Sequence, residues 1–297
     1  MLDRESTFAD PEIIKLLQTR FIPVALDQAY QRRQKDTEGE FYRRIAGQGP
    51  RASEGFRNTT QGFYIAAADG KLLAYNNNRG PERIGRVMNE ILTGFQPPKV
   101  SGISRQRVDE RYNPLPPAGG LVLRVRAKVL DGYEPPTDPW RQIFQSALSR
   151  DNMWVSSREH TALANGQVTS SLAQRLARFH LVDNTRGEAP MWEPAEVRQA
   201  ELMLAGGQLR GSVHLETANG RRGYRAQLLG EVESKNGKVT RFDCVAWGSY
   251  WGHGPFTGGA PAGKFPLAVS FTLADGSDTA DRIPPQGSRG WVRGYLP

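Results

Sequence analysis

Residues able to move protons gather in the middle of the chain: Glu159 and His160 are adjacent, and His180, Asp183, Arg186 and Glu188 follow a short way downstream. Arg150-Asp151-Asn152-Met153-Trp154 lies just before them. Carboxylates and imidazoles held in short loops are the groups that act as general acids and bases or hold a metal ion. The same residues could simply close the chain, with Asp151, Asp183 and Asn184 as helix caps or Asx turns and Arg186 paired with Glu188 or another neighbour. Both readings remain open at this level.

A metal would draw on His160, His180, His214 and His253, with Glu159, Glu216 or Cys244 as further ligands. No pair has the HExxH spacing, and a single cysteine excludes a zinc ribbon, so the metal site left is two histidines and a carboxylate assembled across the fold. The sequence names no further cofactor, and which one the protein uses, if any, stays open. Nucleophilic hydrolase and phosphate-loop signatures are absent: the chain has no GxSxG elbow, no GxxxxGK[ST], and no strand followed by GxGxxG. Around Arg241–Phe256 aromatics and glycines concentrate. There Trp247, Tyr250, Trp251 and His253 either form a ligand or partner surface or fill a core. Cys244, mid-strand among apolar residues, reads as a buried, inert thiol.

The 297 residues carry 39 Lys and Arg against 31 Asp and Glu, a net charge of +8. A basic balance invites an anionic partner, but the arginines are mostly scattered. The densest groups are Arg32-Arg33 with Lys35, Arg43-Arg44, and Arg221-Arg222 with Arg225. No helix-turn-helix, zinc-knuckle or aromatic RNP pattern accompanies them, so nucleic acid is not the expected partner. No stretch approaches the ~20 apolar residues that span a bilayer, and MLDRESTF lacks the apolar centre of a signal peptide.

Two domains are expected from this length. Asp10 and Pro11 cap and open a helix to Arg20 with an apolar stripe of Ile13, Ile14, Leu16 and Leu17. FIPVAL, 21–26, is a continuous apolar run of the kind found in strands covered on both faces. A second helix runs from Asp36-Thr37 to Ala46. Residues 62–75 form a hairpin turning at Asp69-Gly70, and a last helix spans about 81–95. The Pro- and Gly-punctuated 97–120 is a linker. Beyond it, LVLRVRAKVL alternates as a strand, about 139–204 looks helical, with SSLAQRLARFHL as one helix and Glu193-Pro194 opening another, and four strands follow from Gln208 with turns at Asn219-Gly220 and Asn236-Gly237. Residues 121–297 are thus an α+β domain: an antiparallel meander with a helical insert.

Residues 7–27, TFADPEIIKLLQTRFIPVALD, fit almost position by position a segment like TFxDPEVxxLLNxxFVPVxxD, and ADGKLLAY fits a central hairpin. In these features 1–96 resembles the thioredoxin-like superfamily, especially its extracytoplasmic branch, where that segment follows a CxxC motif. The resemblance covers about the first third of the chain and implies an incomplete α/β thioredoxin-like domain. Two departures bear on function. The dithiol is missing, and Thr59-Thr60-Gln61-Gly62 stands where the superfamily has a cis-proline. With Cys244 alone, two thiols cannot alternate as attacker and resolver. A dithiol upstream of Met1 would restore a thiol-disulfide role, and a signal removed from there would place the protein outside the cytoplasm.

The sequence therefore leads to a two-domain protein with a degenerate redox domain, acting as a binding or interaction module on a protein or small-molecule ligand. The alternative is a metal-assisted or hydrolytic enzyme using Glu159, His160, His180, Asp183, Arg186 and Glu188. A third reading is a basic surface docking on an anionic polymer or membrane. Oligomeric state is open.

Overall fold

A short helix, α1 (Leu2–Glu5), is followed by α2 (Pro11–Arg20), whose start is set by Asp10: its carboxylate accepts the N–H groups of Glu12 and Ile13, each at 3.0 Å. The computed structural model describes residues 2–50, 55–58, 61–100, 108–288 and 292–297. Two units emerge from the contacts, Asp3–Pro114 and one built on Leu115–Pro297.

In the first unit α3 (Gln28–Gln31) and α4 (Thr37–Ala46) precede the hairpin of β1 (Phe63–Ala66) and β2 (Leu72–Asn76), and α5 (Pro81–Gly94) closes the order. Ile13, Ile84 and Met88 bury themselves between α2 and α5, with Phe21, Phe63 and Ile65 packed on them. The expected strand at 21–26 does not form: Ile22 is 90% exposed and Val24 69%. A strand needs a neighbour for its N–H and C=O groups, and the described sheet of this unit holds only β1 and β2. Thr59 and Thr60, part of the turn in which the superfamily carries its proline, lie outside the described residues, as does 101–107 of the linker.

The second unit is a seven-stranded antiparallel sheet with spatial order β4-β3-β9-β8-β7-β6-β5. Its strands are β3 (Leu121–Val129), β4 (Asp151–Val155), β5 (Val197–Ala205), β6 (Gln208–Glu216), β7 (Gly223–Lys235), β8 (Lys238–Trp251) and β9 (Lys264–Leu273). The meander runs through five strands, β5 to β9, and its first strand lies in a stretch whose sequence reads as helix. Glu193-Pro194 opens only a single 3-10 turn, and Val197–Ala205 is strand, not helix. The reason is visible in its alternation: Leu202 and Leu204 pack against the core while Glu201 and Met203 face out. Asn236 and Gly237, both at positive φ (54° and 74°), make the tight β7–β8 turn.

One face of this sheet is buried. Leu123, Val125, Ala127 and Val129 of β3 join Phe265, Leu267, Val269 and Phe271 of β9 and Tyr224, Ala226 and Leu228 of β7 in a single core. α6 (Pro139–Ser146) connects β3 to β4, and the cover comes from α7 (Ser157–Ala164) and α8 (Ser170–Arg175), which follow β4. Leu163, Leu172 and Leu176 enter the core from α7, α8 and the turn after it. Each such leucine contributes ~1.5–3 kcal/mol by leaving water. A last short helix, α9 (Val292–Tyr295), brings Tyr295 into the interior.

Candidate functional site

The helix begun at Ser170 does not run regularly to His180. After Arg175 it widens into a π turn, Leu176–His180, in which Leu181 N–H bonds to Leu176 C=O at 3.2 Å. Such bulges often mark functional positions. Here the turn ends on buried His180, whose Nδ1 lies 3.1 Å from Asp151 Oδ2 and whose Nε2 lies 2.5 Å from Tyr295 Oη. Because a carboxylate can only accept, Nδ1 donates to Asp151, and in the neutral imidazole Nε2 is then the acceptor of the tyrosine hydroxyl. Asp151 is itself held: its Oδ1 accepts the backbone N–H of Gln286 and of Asn152, both at 2.8 Å. Burial raises the Tyr295 pKa well above that of a free phenol, even with Arg175 beside it.

Arg175 extends this set of contacts. Its guanidinium sits 5.3 Å from the centre of the Tyr295 ring and donates from Nη2 to Glu159 Oε2. Glu159 is the third residue of α7 and closes a capping box, in which its Oε2 also accepts from Ser156 N–H and Oγ at 3.0 Å each. Ser171 Oγ donates to its other oxygen at 2.9 Å. Burial alone would raise the Glu159 pKa, but the Arg175 hydrogen bond and charge, with the serine donors, hold it below the ordinary value. Glu159, Arg175, Tyr295, His180 and Asp151 thus form one buried polar chain.

Asp183 and Arg186 make a second buried set. They pair with each other, Asp183 accepts from Thr185 Oγ1 at 2.7 Å, and Arg186 donates to Tyr133 Oη at 2.7 Å and Thr257 C=O at 3.2 Å. Arg186 therefore takes Asp183 as its carboxylate, and Glu188 is exposed. His160 stands apart from both sets, bridging Gly119 C=O (2.8 Å from Nδ1) and Val239 N–H (3.0 Å from Nε2). The six acid/base candidates are accordingly not gathered in one open cleft. Glu159 and His180 share a network, Asp183 and Arg186 share another, and nearly every polar atom they bring is engaged in holding the chain. Sequence spacing does not single out Arg175 or Tyr295. Arg175 had one signal, a cation within the apolar spacing of Leu172, Ala173 and Leu176, whereas Tyr295 had none.

The aromatic segment divides between the two faces of the sheet. Tyr250 is buried in a ring cluster with Trp192, Tyr224 and Phe265, and its pKa is pushed up to about 12 by burial. It is not a surface residue. Trp247 lies on the opposite face, 43% exposed. Trp251 is half-buried, its indole N–H donating to Gly220 C=O at 2.9 Å with Lys264 Nζ 5.0 Å from its ring, and His253 is exposed. Cys244 faces the core, and burial raises its thiol to about 12. Arg222, counted above in a basic cluster, is buried with its guanidinium 3.9 Å from the Trp192 ring.

Among the described residues no group of three or more His, Cys, Asp or Glu side chains is placed to hold a metal ion, so the two-histidine, one-carboxylate site is not assembled there. No described helix is long and apolar enough to cross a membrane. In comparison with known proteins, no family model, no curated protein and no solved structure matches the chain.

Proposed function

We propose that this protein works by binding, and that its working surface is the outer face of the β3–β9 sheet. The observation that carries the reading is a set of large apolar side chains left in water on that face. Met203, Leu229, Val245 and Trp247 are 71%, 47%, 41% and 43% exposed. Cross-strand pairing sets Leu229 beside Val245, and Gln227 beside Trp247. Single exposed leucines are ordinary, but Leu229, Val245 and Trp247 lie close together in the middle of the sheet, with Met203 beyond Arg210, and an apolar group that includes a tryptophan is the composition of a contact surface. In this reading Asp3–Pro114 is a thioredoxin-like domain without a dithiol, supported by the order of the capped helix α2, the hairpin β1–β2 and the amphipathic helix α5.

Catalysis is the second reading, and one observation favours it: the Asp151–His180–Tyr295 relay ends beside a cavity of about 170 Å³ lined in part by Ser171, Arg175, Arg178 and Phe179. Against it, the His180 side chain has no exposure.

Selection from a random peptide library on the immobilised full chain tests the proposal. Enriched peptides are expected to lose binding to Trp247→Glu and to keep it with His180→Asn. Failure to enrich any peptide, or enrichment indifferent to Trp247→Glu, overturns it.

A further inference from the structure

Several cations of the second unit are neutralised within the fold. Arg124 is paired with Asp275 and Asp281, Arg175 with Glu159, Arg186 with Asp183, and Arg241 with Glu231, Glu233 and Asp243. Beside β9 on the outer face others lack a carboxylate partner. Arg126 and Arg210 make no hydrogen bond or ion pair among the described residues, and Lys128 reaches only the Ser146 carbonyl at 3.4 Å. The sheet register locates these charges. One row runs Arg126, Ser270, Val245, Leu229, Arg210, Met203 across β3, β9, β8, β7, β6 and β5; the next runs Lys128, Ala268, Trp247, Gln227, Ser212, Glu201.

β9 is thus the low line of this face. It presents Ala268 and Ser270 between Val245 and Trp247 on one side and Arg126 and Lys128 on the other, and with strands ~4.8 Å apart the two walls stand about 10 Å from each other. An apolar wall facing an unneutralised cationic wall, over a floor of small residues, suits a segment carrying hydrophobic side chains along one edge and carboxylates along the other. An extended chain has that alternation built in, because successive side chains point to opposite sides.

We infer that the ligand of this face is an acidic peptide segment lying along β9, its apolar side chains against Trp247 and Val245 and its carboxylates against Arg126 and Lys128. The inference rests on the reading of this face as the binding surface. Single-stranded nucleic acid would want successive aromatic platforms, and the two rows hold a single aromatic side chain, that of Trp247. The face also has an acidic end, where Glu231, Glu233 and Asp243 share Arg241, so the segment's carboxylates belong at the Trp247 end of β8.

The test is fluorescence anisotropy of the full chain with a fluorescein-labelled peptide of alternating Glu and Leu, its Gln-Leu counterpart, and labelled oligo-dT. The Glu-Leu peptide is expected to bind, to weaken as salt is raised, and to weaken about tenfold or more with both Trp247→Ser and the double variant Arg126→Gln, Lys128→Gln. Equal binding of the Gln-Leu peptide, still lost in Trp247→Ser, overturns the acidic ligand and leaves the binding surface standing. Binding of either peptide unaffected by Trp247→Ser overturns both. Tighter binding of oligo-dT, or no binding of the Glu-Leu peptide, overturns the acidic-peptide inference, and the first of these makes nucleic acid the ligand.

Discussion

Arg175 of α8 reaches Glu159 of α7 in a pair almost wholly withdrawn from water, the two side chains being 3% and 1% exposed. Around it Ser156 of the capping box and Ser171 of α8 fill the remaining acceptor sites of the carboxylate, so the ion pair and the helix start at Ser156 are one construction. Removing one partner leaves the other charge buried and uncompensated, which is costly; removing both can be nearly neutral when the replacements fill the space.

Glu159→Ala is therefore expected to destabilise the protein by ~3–5 kcal/mol in urea unfolding followed by circular dichroism. The double variant Glu159→Leu, Arg175→Met should recover most of that loss. If the single variant costs under ~1 kcal/mol, the pair does not hold α7 to α8.

The same carboxylate sets a pH dependence. Its folded pKa is lowered, because the Arg175 and serine contacts outweigh the burial that would raise it. Stability from Glu159 is thus fully present above its unfolded value of about 4.3 and is lost as pH falls through the lower folded value. Glu159→Gln should be less stable than the parent at neutral pH and should lose less on acidification, so that the two unfolding midpoints converge at low pH. Parallel acid profiles would remove Glu159 from the acid transition.

Gly248 tests how closely β7 and β8 are paired. A Cβ there would lie 1.9 Å from the Arg225 carbonyl oxygen, a backbone atom that cannot move without parting the strands. Gly258 has nothing within 4 Å of its added Cβ. Gly248→Ala is expected to lower stability by ~1–3 kcal/mol or more, and Gly258→Ala to stay within ~0.5 kcal/mol of the parent. A thermal melt of the two variants side by side decides it.

How much of this could be read from sequence depends on the range of the interaction involved. Asp10-Pro11, Asp69-Gly70 and Asn236-Gly237 act within a few residues, and the helix and both turns form where they stand. Two errors have local signals overruled from outside. FIPVAL has the composition of a buried strand, but composition cannot supply a neighbouring strand, and Ile22 and Val24 remain in water. Glu193 and Glu196 do close a capping box, yet Val197–Ala205 pairs with β6 instead of continuing as helix. The site residues fare worst because their partners are distant: His180 finds Asp151 29 residues upstream and Tyr295 115 downstream. Spacing carries no trace of such pairs, whereas Trp247 and Tyr250 could have been sorted to opposite faces by counting along the strand from Cys244.

Cys244 offers the last test, and it bears on the thiol chemistry the sequence brings to mind. Its side chain is on the core face of β8 opposite Phe271 in the register, and burial raises its pKa to about 12, so at pH 8 almost none of it is thiolate and reagent cannot approach. Native protein is expected to leave a thiol reagent such as Ellman's unreacted, while denatured protein titrates the one cysteine promptly. The slow native rate should rise with added urea in step with global unfolding, because β8 lies in the middle of the sheet between β7 and β9 and opens only with it. Prompt modification without denaturant would mean that β8 opens on its own, and would return this thiol to consideration as a reactive group.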